Sequence, residues 1–203
     1  MIDLHAHILP GLDDGVATLE EARELARRAA GEGGTAIAAT PHVREDYPTT
    51  AAQMQQALAQ VRDDFASEQI AVDVLPGAEL AIDRLPQIAE DELQQLSREV
   101  QAEPERLDAL VEDGALVQIT AASLDGRLGP SSRRAAQALI ERGHVHLLAS
   151  DAHGPSIREA GLADAASAVG NKRLARWLTD EAPAAIVAGE SLPQRPRRGR
   201  FGR

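Results

Sequence analysis

Residues 1–15 read MIDLHAHILPGLDDG. A short apolar run, Met1 to Leu4, ends in His5-Ala6-His7, and the acidic loop Asp13-Asp14-Gly15 follows at once. The run predicts a first strand. Residues i and i+2 of a strand point to the same side, so two imidazoles there can share one metal ion. A His-x-His standing alone is equally well read as two polar surface residues. Here it does not stand alone. Asp13-Asp14-Gly15 can supply a carboxylate from one short loop. Thr40-Pro41-His42 puts another imidazole at the C-terminal end of a predicted strand, and Gly77-Ala78-Glu79 puts a carboxylate at the end of another. Ser150-Asp151-Ala152-His153 repeats the same-side pairing after a last strand. Four predicted strands thus each end in His, Asp or Glu. In strand–helix barrels chemistry collects at the C-terminal ends of the strands, because those ends share one rim. Mixed imidazole and carboxylate ligands suit manganese, iron or zinc better than a pure oxygen cage for calcium or magnesium. Two such metals ~3.5–4 Å apart can clamp the attacking and leaving oxygens of a phosphoryl transfer.

Outward from these motifs, apolar runs alternate with amphipathic ones. Thr18-Leu19-Glu20-Glu21 predicts a capping box, in which Thr18 accepts from the Glu21 amide and Glu21 reaches back. The helix behind it carries Leu19, Ala22, Ala26, Ala29 and Ala30 on one face and stops at Gly31, Gly33 and Gly34. Thr35 to Thr40, Ile70 to Leu75, Ala115 to Thr120 and His144 to Ser150 read as strands. Thr49 to Phe65, Ser131 to Glu141 and much of Ile157 to Ala188 read as helices. Leu85 to Val100 reads as a polar helix, and Pro104 opens another that runs to Asp113. The alternation predicts an α/β fold with mainly parallel pairing. At most six strands are visible, too few for a complete eight-stranded barrel. The domain runs over residues 1–190. Residues 191–203, with five Arg, two Pro and two Gly, read as a flexible basic tail with little to bury.

Composition narrows the function. With 203 residues the chain can bury one real core. Aromatics are 2%, so that core is built from Ala, Leu, Val and Ile. A net charge of −11 argues against a nucleic-acid partner and fits the binding of cations. There is no cysteine, which excludes a disulfide framework, a thiolate zinc site and a Cys nucleophile. One large group of tyrosine phosphatases works through a cysteine thiolate, and this chain cannot. No apolar run is long enough for a membrane span. The N-terminus lacks a basic start and an apolar signal core, so the expectation is a cytoplasmic protein.

The remaining polar residues carry less. His144 and His146 lie in or beside a strand, and a structural role is expected for both. Arg44, with Tyr47, follows His42 in a loop. It either grips a phosphate oxygen through its forked guanidinium or is a solvated loop residue. The amides of Ala122 to Gly129 either meet an anion or simply make a turn. Arg133 and Arg134 open a helix and are expected to face solvent.

Five stretches together resemble a known family: MIDLHAHILPGLDDG, ATPH (39–42), GAEL (77–80), the segment from Arg98 to Gly129 with GALVQITAASLDGRLG at its end, and HLLASDAH (146–153). They resemble the polymerase-and-histidinol-phosphatase (PHP) superfamily. Within it they are similar to the bacterial manganese-dependent protein tyrosine phosphatases of capsule and exopolysaccharide synthesis, whose branch carries the Leu-Pro-Gly-x-Asp-Asp-Gly run. The resemblance covers most of residues 1–190 in motif order. It implies a distorted TIM-like barrel of about seven strands with two or three divalent cations. Manganese is the usual metal of the branch, and iron, zinc and magnesium are the others to consider. It implies hydrolysis of phosphotyrosine, by a metal-activated hydroxide, on a partner tyrosine kinase that controls polysaccharide export. By motif match, His5 and His7 would hold one metal with Glu79 and Asp151. His42, Asp14 and His153 would serve the neighbouring ions. Asp14, His42 and Arg44 are the residues expected to take part in catalysis.

The chain departs from that family at one place. Between the Glu79 motif and Arg98-Glu99-Val100 the family pattern carries a further piece of barrel, with a bridging Glu, a His ligand and a phosphate-binding Arg. Here Leu96-Ser97-Arg98 runs directly across the gap, where a strand–helix–strand unit would need roughly 30 residues. Three readings follow. The barrel is shortened by one or two strands; or Glu90, Asp91 or Glu92 replace the lost ligands; or the site is incomplete. Exposed strand edges at the gap predict lower stability or dimerisation, giving a homo-oligomer. Three functions compete accordingly: the phosphotyrosine phosphatase, a small-molecule phosphoesterase of the histidinol-phosphatase kind, and a catalytically impaired metal-binding module.

Overall fold

The structure, a computed structural model, describes residues 1–80, 111–112, 114–154 and 161–196. The expected helices over Leu85–Val100 and Pro104–Asp113 fall largely outside these residues. So do the junction at Leu96-Ser97-Arg98, the substitute ligands Glu90, Asp91 and Glu92, and the end of the basic tail from residue 197.

The described elements form a mixed α/β fold whose named strands all pair in parallel. Strands β1 (Ile2–Ala6), β2 (Ala36–Ala39) and β4 (Asp73–Pro76) make one sheet in the order β1-β2-β4. β3 (His42–Val43) and β5 (Glu79–Leu80) make a second, and β6 (Val117–Thr120) and β7 (Val145–Ala149) a third. More short strands are seen than the sequence reading allowed. The reason is local: Pro41 and the Pro76-Gly77 turn each interrupt a run, so that β2 resumes as β3 and β4 resumes as β5. The second pair keeps the order of the first, with His42 opposite Glu79. Ala6 forms a parallel bridge with Ala152, and His5 O accepts from Asp151 N at 2.9 Å. These contacts set the end of β7 against the end of β1.

Each parallel connection is made by a helix. Helix α1 (Leu19–Gly31) buries Ala22, Leu25, Ala26 and Ala29 against the first sheet. Thr18 caps it by accepting from Glu21 N, as predicted. The reciprocal bond differs: the Glu21 carboxylate accepts from Ala17 N, one residue before the expected partner. Helix α2 (Ala51–Ser67) starts at a full capping box between Thr50 and Gln53, which the sequence reading missed, and buries Leu58, Val61 and Phe65. Helices α3 (Ala121–Asp125) and α4 (Gly129–Arg142) follow β6. The stretch read as an open turn from Ala122 is therefore helical for its first residues, and turns only at Gly126, which has φ +99°. Helices α5 (Ala163–Ala168) and α6 (Lys172–Arg176), a π-helical turn (Trp177–Glu181) and α7 (Ala182–Ala188) complete the chain.

Two apolar cores result. One joins α1 and α2 to the first sheet around Leu25, Ile37, Val61 and Phe65. The other joins β6 and β7 to the later helices around Leu124, Leu148, Trp177 and Leu178. His146 has the structural role expected of it: its Nδ1 accepts from Val117 N at 3.0 Å, where the β6–β7 register shifts. The start of the basic segment departs from a flexible tail. Trp177 Nε1 donates to Pro193 O, Arg195 donates to Ile140 O and lies over the Trp177 ring, and Leu192 packs on the second core. A large indole with a polar edge provides the anchor that composition alone does not reveal.

Candidate metal centre

The C-terminal ends of β1 and β7 and the first residues of β3 and β5, just past the ends of β2 and β4, bring His5, His7, His42, Glu79, Asp151 and His153 together, and the loop after β1 adds Asp14. Glu79 Oε2 lies 3.2 Å from His5 Nε2, 3.3 Å from His7 Nε2 and 3.1 Å from His42 Nδ1. Asp151 Oδ1 lies 3.7 Å from His5 Nε2, 3.8 Å from His7 Nε2 and 3.5 Å from His153 Nδ1. Asp14 Oδ1 faces His42 Nε2 at 3.3 Å and His153 Nε2 at 3.6 Å. Six of the seven, all but Glu79, fall into overlapping groups, His7-Asp14-His42-His153 and His5-His7-Asp151, each with its candidate ligand atoms within 4.8 Å of one another. His7 belongs to both.

Local backbone explains the aim of these side chains. His5 and His7 point one way because they are two apart on a strand. Asp151 takes φ +53°, a left-handed turn that Asp tolerates better than most residues. That turn ends β7 while leaving Asp151 N bonded to His5 O and Ala152 O accepting from His7 N. Gly15 is required by a close approach: a Cβ there would run into the Cβ and carbonyl oxygen of His7.

Asp13 and Asp14, adjacent and alike in sequence, separate in role. Asp14 is exposed and faces the imidazoles. Asp13 exposes no side-chain surface and turns under them. Its Oδ2 sits 2.6 Å from His7 Nδ1 and accepts from His42 N at 2.8 Å, and its Oδ1 accepts from Gly15 N. A carboxylate behind a ligating imidazole fixes the ring and its tautomer. Two more positioning groups escaped the sequence reading. Gln118 of β6 meets His5 Nδ1 at 3.0 Å. Asp3, buried, accepts from His5 N and from Ser150 N, tying β1 to β7. No local signal marks either residue, because their partners are distant in the chain.

Electrostatics agree with a cation site. Hydrogen bonds from His5 and His7 hold the Glu79 carboxyl far below the usual carboxylate range. Burial disfavours the charged form of His7, yet Asp13 and Glu79 outweigh it and hold the imidazole up to about 9. Burial likewise opposes ionisation of Asp13, and the His7 contact with the amides of His42 and Gly15 overcomes it. Imidazole nitrogens 3.3 Å apart, as on His5 and His7, repel when both are charged. A divalent cation removes that conflict, since neutral imidazoles and carboxylates can all direct lone pairs at it. The donor set fits such ions. Arg44 stands apart: its guanidinium pairs with Asp46 at 2.7 Å and lies over the Tyr47 ring, which stacks beside His42.

Residues 1–99 and 95–182 match a protein family described as capsular polysaccharide synthesis, CpsB/CapC. The chain is 31% identical over 201 residues to the tyrosine-protein phosphatase YwqE of Bacillus subtilis (strain 168), covering 78% of this chain and 79% of that protein. It is 30% identical over 196 residues to the putative tyrosine-protein phosphatase CapC of Staphylococcus aureus, covering 75% and 77%. A solved structure described among those of YwqE from Bacillus subtilis and CpsB from Streptococcus pneumoniae, "unique metal-dependent tyrosine phosphatases", superposes with a TM-score of 0.83 at 29% identity, covering 98% of this chain and 100% of that one. An alignment of 201 positions that uses 78% of a 203-residue chain contains positions this chain does not supply. The family match also falls in two pieces, which meet at residues 95–99.

Proposed function

The chain belongs to the CpsB/CapC family of capsular polysaccharide synthesis, and from that premise we propose that it is a metal-dependent protein-tyrosine phosphatase. Its substrate is phosphotyrosine on a bacterial tyrosine kinase that controls polysaccharide export, and it acts in the cytoplasm. Among the described residues no helix is long and apolar enough to cross a membrane. The observation that carries the reading is the convergence of His5, His7, Asp14, His42, Glu79, Asp151 and His153 on one rim of parallel strands. The fold is a shortened PHP barrel, a reading supported by the parallel pairings and by the family match in two pieces.

His5, His7, Glu79 and Asp151 would hold one cation, and Asp14, His42 and His153 would hold its neighbours, with manganese as the metal. Bound there, divalent cations supply Lewis acidity and a water acidified toward neutral pH. The residues of the chain do the positioning. Asp13 keeps the His7 ring turned inward. Exposed Asp14 and Glu79 form the open side by which a phosphate enters. Arg44, on leaving Asp46, would take a phosphate oxygen in its fork. No protein nucleophile is needed, and phenolate is a fair leaving group.

The test is metal content of the purified protein beside p-nitrophenyl phosphate turnover with added manganese. Bound manganese, with turnover abolished in His5→Ala and Asp151→Ala, is the expected result. Activity on alkyl phosphates equal to that on a phosphotyrosine peptide would favour the small-molecule phosphoesterase. The residues this chain lacks relative to YwqE favour one other reading, a metal-binding module with impaired catalysis; manganese bound without turnover would identify it.

A further inference from the structure

Gln118 has no place in the ligand set, yet it is the group that meets the back of His5. It lies on β6, a strand of the second core, and its side-chain amide nitrogen, Nε2, stands 3.0 Å from His5 Nδ1 across 113 residues of sequence, so that a half-turn of the amide brings its oxygen there instead. The other ring nitrogen, Nε2, faces Glu79 at 3.2 Å and Asp151 at 3.7 Å. We propose that Gln118 is the positioning residue for His5: its amide oxygen accepts the Nδ1 hydrogen and keeps Nε2 aimed at the divalent cation. The inference rests on the metal-centre reading above.

The chemistry sets the direction of the bond. A ring nitrogen that binds a metal offers its lone pair, so the single hydrogen of the neutral ring sits on the other nitrogen. His5 must then donate from Nδ1, and its partner must accept. A glutamine amide presents nitrogen or oxygen by a half-turn about its last bond. In the loaded protein Gln118 therefore offers its oxygen. His7 is the internal comparison. Its Nδ1 is held by Asp13, six residues away, within the same half of the chain. His5 is held from the other half, so β6 takes part in the metal centre without supplying a ligand. Partners of this kind commonly change metal affinity about 10–100-fold.

Wild type, Gln118→Leu and Gln118→Glu are stripped with EDTA and titrated with manganese, and the metal-free thermal unfolding of each is recorded. The expected result is an affinity about 10–100-fold weaker in Gln118→Leu, with unfolding close to wild type. Gln118→Glu, which has the same shape and can only accept, should retain wild-type affinity. If Gln118→Leu does not fold, Gln118→Asn, whose amide stops one carbon short, replaces it with the same expectation. Equal affinity in wild type and Gln118→Leu overturns the proposal, and so does a Gln118→Glu protein as weak as Gln118→Leu. A wild type that binds no manganese overturns this proposal together with the metal-centre reading. Wild-type binding with no effect of Gln118→Leu overturns this proposal alone.

Discussion

The two halves of the molecule hold their ligands differently. In the N-terminal half, β1 to β5, His7 and His42 are fixed from within: the buried Asp13 carboxylate grips the His7 ring and the His42 amide together. In the C-terminal half, Asp151 and His153 depend on contacts with the other half. Asp151 N bonds to His5 O, Ala152 O accepts from His7 N, and Ser150 N donates to Asp3. The His7 ring and the His42 amide are thus fixed within one half, while the His5 ring and the backbone of residues 150–152 are fixed across the seam. A metal bound at such a seam would report whether both cores are folded and joined.

The largest effect expected is from breaking the inner grip. Asp13→Ala leaves a fully buried His7 without its partner, at a cost of about 3–5 kcal/mol. Denaturant unfolding should show that loss, and manganese titration should show weakened binding through His7 and His42 together. Breaking the seam should cost less. Asp3→Ala removes the acceptor for His5 N and Ser150 N, about 1–3 kcal/mol. Asp3→Asn, which keeps one oxygen, should lie closer to wild type. If Asp3→Ala lowered stability no more than a surface change does, the picture of a docked second half would fail. Gly15→Ala should fall in a similar range, about 1–3 kcal/mol, because the new methyl group meets the His7 backbone.

A pH series sharpens the same comparison. In the metal-free protein His7 is raised from 6.5 to about 9, so its pairing with Asp13 and Glu79 stabilises fully below pH 6.5 and is lost as pH climbs through about 9. The Tm of EDTA-treated protein should carry a falling component over that window, and Asp13→Asn should shrink it. Manganese affinity should run the opposite way, rising with pH as protons leave the imidazoles. The smallest effect is expected from Thr50→Ala, which removes one side of the α2 capping box, made with Gln53. It should cost about 1 kcal/mol in unfolding and leave manganese affinity unchanged.

Much of the ligand set was legible because strand geometry is local. A side chain two residues on returns to the same face whatever the rest of the chain does, so His5 with His7 and Asp151 with His153 could be paired on paper. The Thr18 cap of α1 and the parallel α/β pattern were legible for the same reason, while the Thr50 cap of α2 was not. What lies past the boundaries was less so. The strand stops before Pro41 and Gly77 were readable, but not the pairing of β3 with β5 beyond them, and the π-helical turn at Trp177 has no signature in the pattern of apolar residues.

The sequence by itself singled out the imidazoles and carboxylates that the fold gathers into one cluster, and placed them next to strand ends. Residue spacing could not say that Asp13 would turn inward and Asp14 outward, since both are carboxylates in one loop, and Asp13 is drawn in by the His7 ring and the amides of Gly15 and His42. Nor could it single out Asp3, whose bond to Ser150 spans 147 residues, or Gln118, whose bond to His5 spans 113. Those roles were decided by the tertiary structure, because a hydrogen bond depends on where two groups meet in space, and periodicity along the chain records only which way each one faces.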